Sequence, residues 1–208
     1  EPIDARVVSF GTDVDRFGIV RPLVHLEANE RKLIVRLPNY SDVTLTSIQI
    51  GSEVIVVGVH PHASLMPKNP SPENQPVVQA PTTCRCGGTV QKAEGQPHYR
   101  CLNAQCFIRA LRKFDYAHRE IGFLQFKRPE VIRELFLTRA VKDLYWLFDL
   151  AALDLITLEE DTSRQELIDD ITYAHSFMDQ RWDWELLASL SIETLSVHLC
   201  KRICEKFN

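Results

Sequence analysis

Long apolar runs are missing from this 208-residue chain, in which no stretch comes near the about 18 consecutive apolar residues typical of a membrane span. The sequence therefore predicts no membrane partner. The first ten residues, EPIDARVVSF, also lack the basic region and apolar block of a secretory signal. We accordingly expect an intracellular, cytoplasmic protein.

Cysteine is scarce, and its distribution is uneven. Four of the six cysteines, Cys84, Cys86, Cys101 and Cys106, lie within 23 residues. So few cysteines do not make a disulfide scaffold in a chain of this length, and their clustering favours a metal ion in a reducing compartment. The spacing is C-x-C, fourteen residues, then C-x4-C, and four thiolates at two turns are usual ligands of structural Zn²⁺.

Two details qualify this zinc prediction. The first pair is one residue closer than the usual C-x2-C, and we expect Gly87 and Gly88 to accommodate the tighter turn. His98 lies between the pairs and is a less favoured alternative ligand. Disulfides or free thiols remain the alternative to a metal site.

The order of apolar patterns predicts a multidomain β + α protein. Five short runs rich in Val, Ile, Leu and Thr occupy the first 60 residues, which suits a small OB-type β-barrel: ARVVSF, GIVRPLVHLEA, KLIVRLP, DVTLTSI and EVIVVGVH. Five prolines within residues 61–76 predict an exit linker. Helical spacing follows from about residue 107, with Pro129 at a first helical turn. The predicted domains are an OB-fold with its linker over 1–78, a zinc finger over 79–108 and an all-α domain over 109–208.

Charge is distributed unevenly along the chain. Residues 81–127 carry eight basic and three acidic groups, whereas residues 1–80 have a net charge of −2 and residues 128–208 of −7. A basic middle segment between acidic flanks is typical of a local polyanion contact, although a solvated charged surface is the alternative.

The cysteine motif and its flanks resemble the C-terminal region of bacterial NAD-dependent DNA ligases. That family opens its zinc finger with Pro-Thr-x-Cys and closes it with Tyr-Arg-Cys-x-Asn-x-x-Cys, and this chain reads PTTC at 81–84 and YRCLNAQC at 99–106. The OB motifs of the family are matched by Arg16, Gly18 and Pro22, by Leu37 and Asn39 with Pro38 in place of His, by IQIGSEVIVV at 48–57 and by MPK at 66–68. The segment VKDLYWLFDL is similar to the one that follows the finger.

The resemblance implies a structural Zn²⁺ without a catalytic role, DNA as the partner and a helix-hairpin-helix domain. It does not extend to the adenylation domain. The chain contains no K-x-D-G motif, and the nearest sequence, KFDY at Lys113, has Tyr116 where the motif has glycine. We therefore expect that this chain binds no NAD and is not by itself an enzyme, although it can be part of one.

Glycine is almost absent from the helical half, where only Gly122 follows position 95. Helix-hairpin-helix motifs grip phosphate through glycine-rich hairpins, because only glycine lets the backbone come so close. Here GFLQF occupies the first hairpin, and Glu160 and Asp161 lie near the glycine positions of the next. Ser191 and Ser196 replace both glycines of the last, and Glu193 replaces a basic residue. Carboxylates repel phosphate, so we expect a degenerate helix-hairpin-helix domain.

The remaining candidates for DNA contact are basic residues that bind phosphates without reading sequence. Those in or after the finger are Arg100, Arg109, Arg112, Lys113, Arg119 and Lys127, and those in the barrel are Arg16, Arg21 and Arg36, to which the resemblance adds Asn39.

Two further groups of residues admit two interpretations. Cys200 and Cys204 share a helix face, which fits a second metal site or, as we favour, small buried side chains. Trp146, Trp182 and Trp184 can stack on bases, but their spacing among leucines favours core or domain contacts.

The sequence thus supports three hypotheses. The first is a non-catalytic, ligase-like protein that binds duplex or nicked DNA in repair, replication or recombination. The second is an assembly module that kept the ligase fold and meets a protein partner through its acidic helical domain. The third is a fragment of an active NAD-dependent DNA ligase.

Overall fold

The computed structural model describes residues 2–40, 45, 47–58, 63–69, 78–92, 94–123, 125–138, 141–148, 161–177 and 182–207. The chain forms two compact units, Glu1–Asn103 and Ala104–Asn208. The first contains an antiparallel sheet and the second contains helices, so the predicted β + α class is confirmed. The finer division into 1–78, 79–108 and 109–208 stays a prediction.

Seven strands form the sheet of the first unit. They are β1 (Ile3–Val14), β2 (Ile19–Ala28), β3 (Arg31–Arg36), β4 (Glu53–Val57), β5 (Ser64–Pro67), β6 (Val90–Lys92) and β7 (Tyr99–Cys101). Their order is β5-β4-β1-β2-β7-β6, with β3 also paired to β2. Among the strands that the structure describes, no pairing closes this sheet into a barrel, so the OB-type barrel stays a prediction.

Local sequence explains the two hairpins at the centre of the sheet. Asn29 and Glu30 both have positive φ, at 48° and 64°, as the tight turn between β2 and β3 requires. Between β1 and β2, one carboxylate oxygen of Asp15 accepts the backbone N–H groups of Phe17 and Ile19, each at 2.9 Å. These turns set a register in which alternate residues of β2 face the core: Val20, Pro22, Val24, Leu26 and Ala28.

Two sequence expectations for the first unit need correction. Residues 64–67, predicted as part of a linker, form β5, which pairs with β4; Pro67 is tolerated there because β5 ends the sheet order. The predicted strand at 42–48 falls mostly outside the described residues. Its described members, Leu45, Ser47 and Ile48, are not in a strand.

Five α-helices are described in the second unit. They are α1 (Phe107–Asp115), α2 (Pro129–Leu137), α3 (Asp161–Ser176), α4 (Asp183–Ser189) and α5 (Val197–Phe207); a π-helical segment (Tyr116–Ile121) continues α1, and a 3₁₀ turn spans Tyr145–Phe148. As predicted, α2 begins at Pro129. Its Ile132, Leu135 and Phe136 are buried in a core that includes Phe114 and Ile171.

Within the part of the chain that the structure describes, we find no helix with both the length and the apolar character of a membrane span.

Candidate metal centre and basic residues

The first pair of cysteines lies in a tight turn closed by its own backbone. The N–H of Cys84 donates to the carbonyl of Gly88, and the N–H of Gly87 donates back to the carbonyl of Cys84, both at 2.8 Å. Gly87 has a φ of 84°, a conformation that costs other residues about 1–2 kcal/mol. The structure thus agrees with the expectation that Gly87 and Gly88 accommodate the short C-x-C spacing.

A hairpin returns the chain to this turn. Strands β6 and β7 pair Val90 with Cys101, and the N–H of Leu102 donates to the carbonyl of Thr89 at 2.9 Å. Strand β7 also pairs with β2, and Cys101 donates its N–H to the carbonyl of Gly18 at 3.0 Å. The β6–β7 hairpin is therefore an extension of the N-terminal sheet, a pairing that the sequence did not predict.

The folded chain brings together the four cysteines that the sequence singled out. The sulfur atoms of Cys84, Cys86, Cys101 and Cys106 all lie within 4.8 Å of one another, and those of Cys86 and Cys101 are 3.5 Å apart. Tetrahedral Zn²⁺ with Zn–S bonds of about 2.3 Å separates its sulfurs by about 3.8 Å, so this arrangement suits a four-thiolate ion. The group does not include His98.

The space around the sulfurs also fits this use. A Cβ added to Gly88 would lie 3.2 Å from the sulfur of Cys101, 3.3 Å from that of Cys86 and 2.6 Å from Cβ of Asn103. Glycine at this position is what lets the turn approach the cluster. All six cysteines are free thiols in the structure, so the disulfide alternative has no support.

The pKa of the Cys86 thiol reflects two opposing effects. Burial raises it, but hydrogen bonds from the Gly88 N–H and from Cys101, Cys84 and Asn103 together outweigh burial and lower it to about 7. The contribution of Asn103 was not predicted from the sequence, although its place in the motif Cys-x-Asn-x-x-Cys was a signal. A thiol already close to ionisation at neutral pH readily releases its proton to solvent when it binds a metal ion.

Cys200 and Cys204 form no second candidate site. Cys200 is fully buried, and burial, followed by the charge of Cys204, raises its pKa. No metal-ligand group in the described ranges includes either cysteine. The structure therefore agrees with the packing interpretation for Cys200.

Two of the basic residues predicted in the first unit, Arg21 and Arg36, lie beside carboxylates. Arg21 is 3.1 Å from Asp15 and donates to the carbonyl of Pro38 at 2.8 Å, and Arg36 pairs with the buried Asp13. The register pairs both Asp13 with Arg21 and Leu23 with Arg36. These two arginines thus lie close together and have partners within the fold. Arg16 lies over the ring of Phe17, 4.7 Å from its centroid, and Asn39 and Arg100 are half-buried.

The basic residues predicted in the second unit differ in exposure. Arg109 donates to the carbonyl of Ala104, and Arg112 lies 3.5 Å from Asp115. Burial, and then the charge of Arg109, lower the pKa of Lys113, whereas Asp143 raises it. Two others are exposed, namely Arg119 and Lys127, whose Nζ lies 4.2 Å from the ring centroid of Tyr173. These two have the greatest access to a polyanion.

The tryptophans do not share one role. Trp146 packs against the helical core as expected, and Trp184 is half-buried with Nζ of Lys201 4.3 Å from its ring centroid. Trp182 is 70% exposed, so it is not a core residue, and the alternative expectation of a domain contact stays a prediction.

The turn between α4 and α5 includes a backbone conformation that favours glycine. Ser191 has a φ of 52° there. Ser196 instead caps α5, since its Oγ accepts the N–H of Leu199 at 3.2 Å. The other two predicted hairpins, at 122–126 and near Glu160 and Asp161, contain residues outside the described ranges.

We compared the sequence of this chain with those of known proteins. No family model matches the chain. It is similar to a DNA ligase of a Nitratiruptor species, with 26% identity over 212 residues. The alignment covers 97% of this chain and 31% of that ligase, so the chain spans about a third of the length of the ligase it matches. This is a distant similarity to one part of a DNA ligase.

Proposed function

We propose that this chain is the DNA-binding part of a ligase-like protein and grips duplex or nicked DNA by its phosphates. The observation that carries the proposal is the similarity to a DNA ligase along 97% of the chain. The clustered cysteines support it, because the four cysteines of the ligase-like motif lie close enough together to share a metal ion. The work of such a protein would be DNA repair, replication or recombination in the cytoplasm.

An OB-type barrel is the proposed identity of β1–β5. Strand β1 pairs with both β2 and β4, β2 pairs with β3, and β4 pairs with β5. This pairing suits the partly open five-stranded barrel of that fold, whose β2–β3 face binds oligonucleotides. The odd-numbered positions of β2, starting at Arg21, form the more accessible face of the sheet.

The metal is proposed to be structural Zn²⁺. Four thiolates complete its tetrahedral coordination and leave no open position for substrate or water. Cys84, Cys86, Cys101 and Cys106 would hold it, and it would stabilise the turn at 84–88 and the β6–β7 hairpin. The metal therefore would support DNA binding only through the fold.

We propose no catalytic role for this chain by itself. It contains no K-x-D-G sequence, so it has no lysine in that motif to carry an adenylate, and we propose that it binds no NAD. Since the similar ligase is about three times longer than the matched region, nick sealing by a longer polypeptide that contains this segment is compatible with the proposal.

The proposed DNA contacts are assigned to each unit separately. In the second unit they are the exposed Arg119 and Lys127, together with Arg109, Arg112 and Lys113; in the first unit they are Arg16, Arg21, Arg36, Asn39 and Arg100. The ion pairs of Arg21 and Arg36 reduce the charge they offer to phosphate. We therefore expect Arg119 and Lys127 to make most of the electrostatic contribution to DNA binding.

The test is fluorescence anisotropy with the zinc-loaded chain and nicked, intact or single-stranded DNA across a salt series. We expect affinity to fall steeply with salt, since each neutralised phosphate contributes about −0.9 to the slope of log K against log[salt]. The double variant Arg119→Glu/Lys127→Glu should bind about tenfold more weakly and with a slope smaller by about 2.

The matched control is Arg202→Glu/Lys206→Glu, which makes the same charge change at exposed residues of α5 in the same unit. This control should bind DNA nearly as the unsubstituted chain does. Equal losses of DNA affinity in both variants would show that the effect comes from net charge and not from these two positions. An absence of DNA binding at low salt would reject the proposal.

A second candidate function, assembly with a protein partner, is favoured by exposed apolar side chains in residues 182–207. Trp182 and Phe207 are 70% and 79% exposed, and Leu186, Ile192 and Leu199 are also exposed. Sedimentation velocity of the chain and of Trp182→Ser/Leu186→Ser would test self-association as one form of such assembly. A monomer in both, together with strong DNA binding, would count against this candidate.

A further inference from the structure

The sulfur of Cys86 accepts two N–H donors from outside the cysteine cluster. The backbone N–H of Gly88 lies 3.4 Å from it, and Nδ2 of Asn103 lies 3.6 Å from it. Four thiolates around one divalent cation carry a net negative charge, and N–H donors directed at a sulfur stabilise that charge and orient the ligand. Cys86 therefore has a supporting shell of its own.

Cys86 is also the ligand that most needs such support. Cys84, Cys101 and Cys106 are 6%, 4% and 2% exposed, whereas Cys86 is half-buried. Water, a chelator or an alkylating reagent reaches the centre most easily through this sulfur. A ligand open to solvent on one side is retained only if its other contacts favour the metal-bound orientation.

The position of Asn103 is constrained by its packing. A Cβ on Gly88 would lie only 2.6 Å from Cβ of Asn103, so Asn103 is packed directly against the backbone of the 84–88 turn. This contact keeps the Asn103 amide close to Cys86. Because Gly88 also donates to Cys86, the two donors belong to one packed unit.

We propose that Asn103 is a positioning residue that holds Cys86 in the metal-binding orientation and thereby controls how tightly the centre retains its ion. The inference rests on the metal centre within the proposed function and is independent of DNA binding. It assigns to Asn103 a hydrogen-bonding role that packing alone would not require.

The first measurement is the Zn²⁺ affinity of the full chain, by competition with a chromogenic chelator. Asn103→Asp keeps the size of the side chain but replaces the N–H donor with an acceptor. Asn103→Ala removes the amide. Both should weaken Zn²⁺ binding by about 10- to 100-fold, as the loss of supporting hydrogen bonds to metal ligands typically does.

Gln105→Glu is the matched control, because it makes the same amide-to-carboxylate change at an exposed residue between Cys101 and Cys106. Its affinity should stay close to that of the unsubstituted chain. If Asn103→Asp binds as tightly as the unsubstituted chain, or Gln105→Glu weakens binding equally, the proposal is wrong.

Ligand-specific labelling provides the second readout. The zinc-loaded Asn103→Ala chain is treated with an alkylating reagent, and the modified cysteines are identified by peptide mass spectrometry. Among the four cluster cysteines, Cys86 should be modified first and faster than in the unsubstituted chain. Another cluster cysteine modified first would overturn the proposal, as would an unchanged rate at Cys86.

Co²⁺ substitution separates this inference from the proposals on which it rests. The Asn103→Ala chain should keep the charge-transfer bands of a four-thiolate site at saturating Co²⁺, because all four ligands remain. Failure of the unsubstituted chain to bind either Zn²⁺ or Co²⁺ would reject both the metal centre and this inference. Failure to bind DNA would leave the inference standing.

Discussion

The carboxylate of Asp170 is nearly completely buried and accepts the backbone N–H groups of Lys127 and Arg128 at 2.6 and 3.0 Å. Its removal would leave two donors at the start of α2 without their charged acceptor. We predict that Asp170→Ala lowers the free energy of unfolding by about 2–3 kcal/mol, measured by urea denaturation. Asp169→Ala, at an exposed position one residue earlier, should change it by less than about 0.5 kcal/mol. Similar losses in the two variants would contradict this role.

The two serines of the last hairpin should respond in opposite ways to glycine. Ser191 has a φ of 52°, which strains a residue with a Cβ, so Ser191→Gly should stabilise the chain by about 0.5–1 kcal/mol and raise the Tm by about 1–4 °C. Ser196 has no such strain and caps α5, so Ser196→Gly should cost a few tenths of a kcal/mol. Thermal unfolding of both variants checks the prediction, and a lower Tm for Ser191→Gly would show that its side-chain contacts outweigh the backbone strain.

Arg21 and Arg36 illustrate why DNA-contact residues were harder to predict than the cysteine motif. The residue type identified Arg21 and Arg36 as phosphate-binding candidates, but only the fold revealed Asp15 and Asp13 beside them. Those ion pairs depend on the register of β1, β2 and β3, which a list of charges does not contain. The prediction of DNA contact therefore favours the exposed Arg119 and Lys127.

At the scale of elements, the 84–88 turn depends on glycine for two separate reasons. Gly87 supplies a positive φ, whereas Gly88 supplies space. We predict that Gly88→Ala severely weakens Zn²⁺ binding, because the new methyl group would lie 2.6 Å from Cβ of Asn103 and within 3.3 Å of two ligand sulfurs. Chelator competition measures the effect.

Gly95→Ala is the comparison for that prediction. Gly95 has a φ of 67° and no atom within 4 Å of an added Cβ, so alanine there strains the backbone without entering the cluster. It should lower stability by about 1–2 kcal/mol and leave Zn²⁺ affinity nearly unchanged. An equal loss of affinity in both variants would attribute the effect to general destabilisation.

The elements themselves were predicted unevenly. Strands β1–β4 and helix α2 follow from local apolar patterns, turn residues and Pro129, which act within a few residues. Strand β5 was missed because the five prolines of residues 61–76 indicated a linker, whereas the strand forms by pairing with β4. The pairing of β7 with β2 joins residues about 80 positions apart, and no local pattern specifies such a contact.

For the protein as a whole, metal removal should reduce thermal stability. A ligand that binds only the folded state contributes about 2.7 kcal/mol at 100 times its Kd, and each kcal/mol shifts the Tm of a chain of this size by about 2–4 °C. We predict that a strong chelator lowers the Tm by several degrees in differential scanning calorimetry. Cys86→Ser should lose this response to chelator, whereas Cys204→Ser, outside the cluster, should retain it. If the chelator does not change the Tm of the unsubstituted chain, the result would argue against a bound metal.

Local sequence was sufficient to predict the β + α composition and the cysteines able to share a metal, because strand alternation, helical spacing, turn glycines and ligand spacing all act over short distances along the chain. The folded arrangement was needed to find how the β6–β7 hairpin joins the sheet, which arginines lie beside carboxylates, and which candidate metal ligand Asn103 contacts. It was also needed to find that Trp182 is exposed. The cause is common to all of these: each depends on which distant segments meet, and that outcome is set by packing and pairing across the fold.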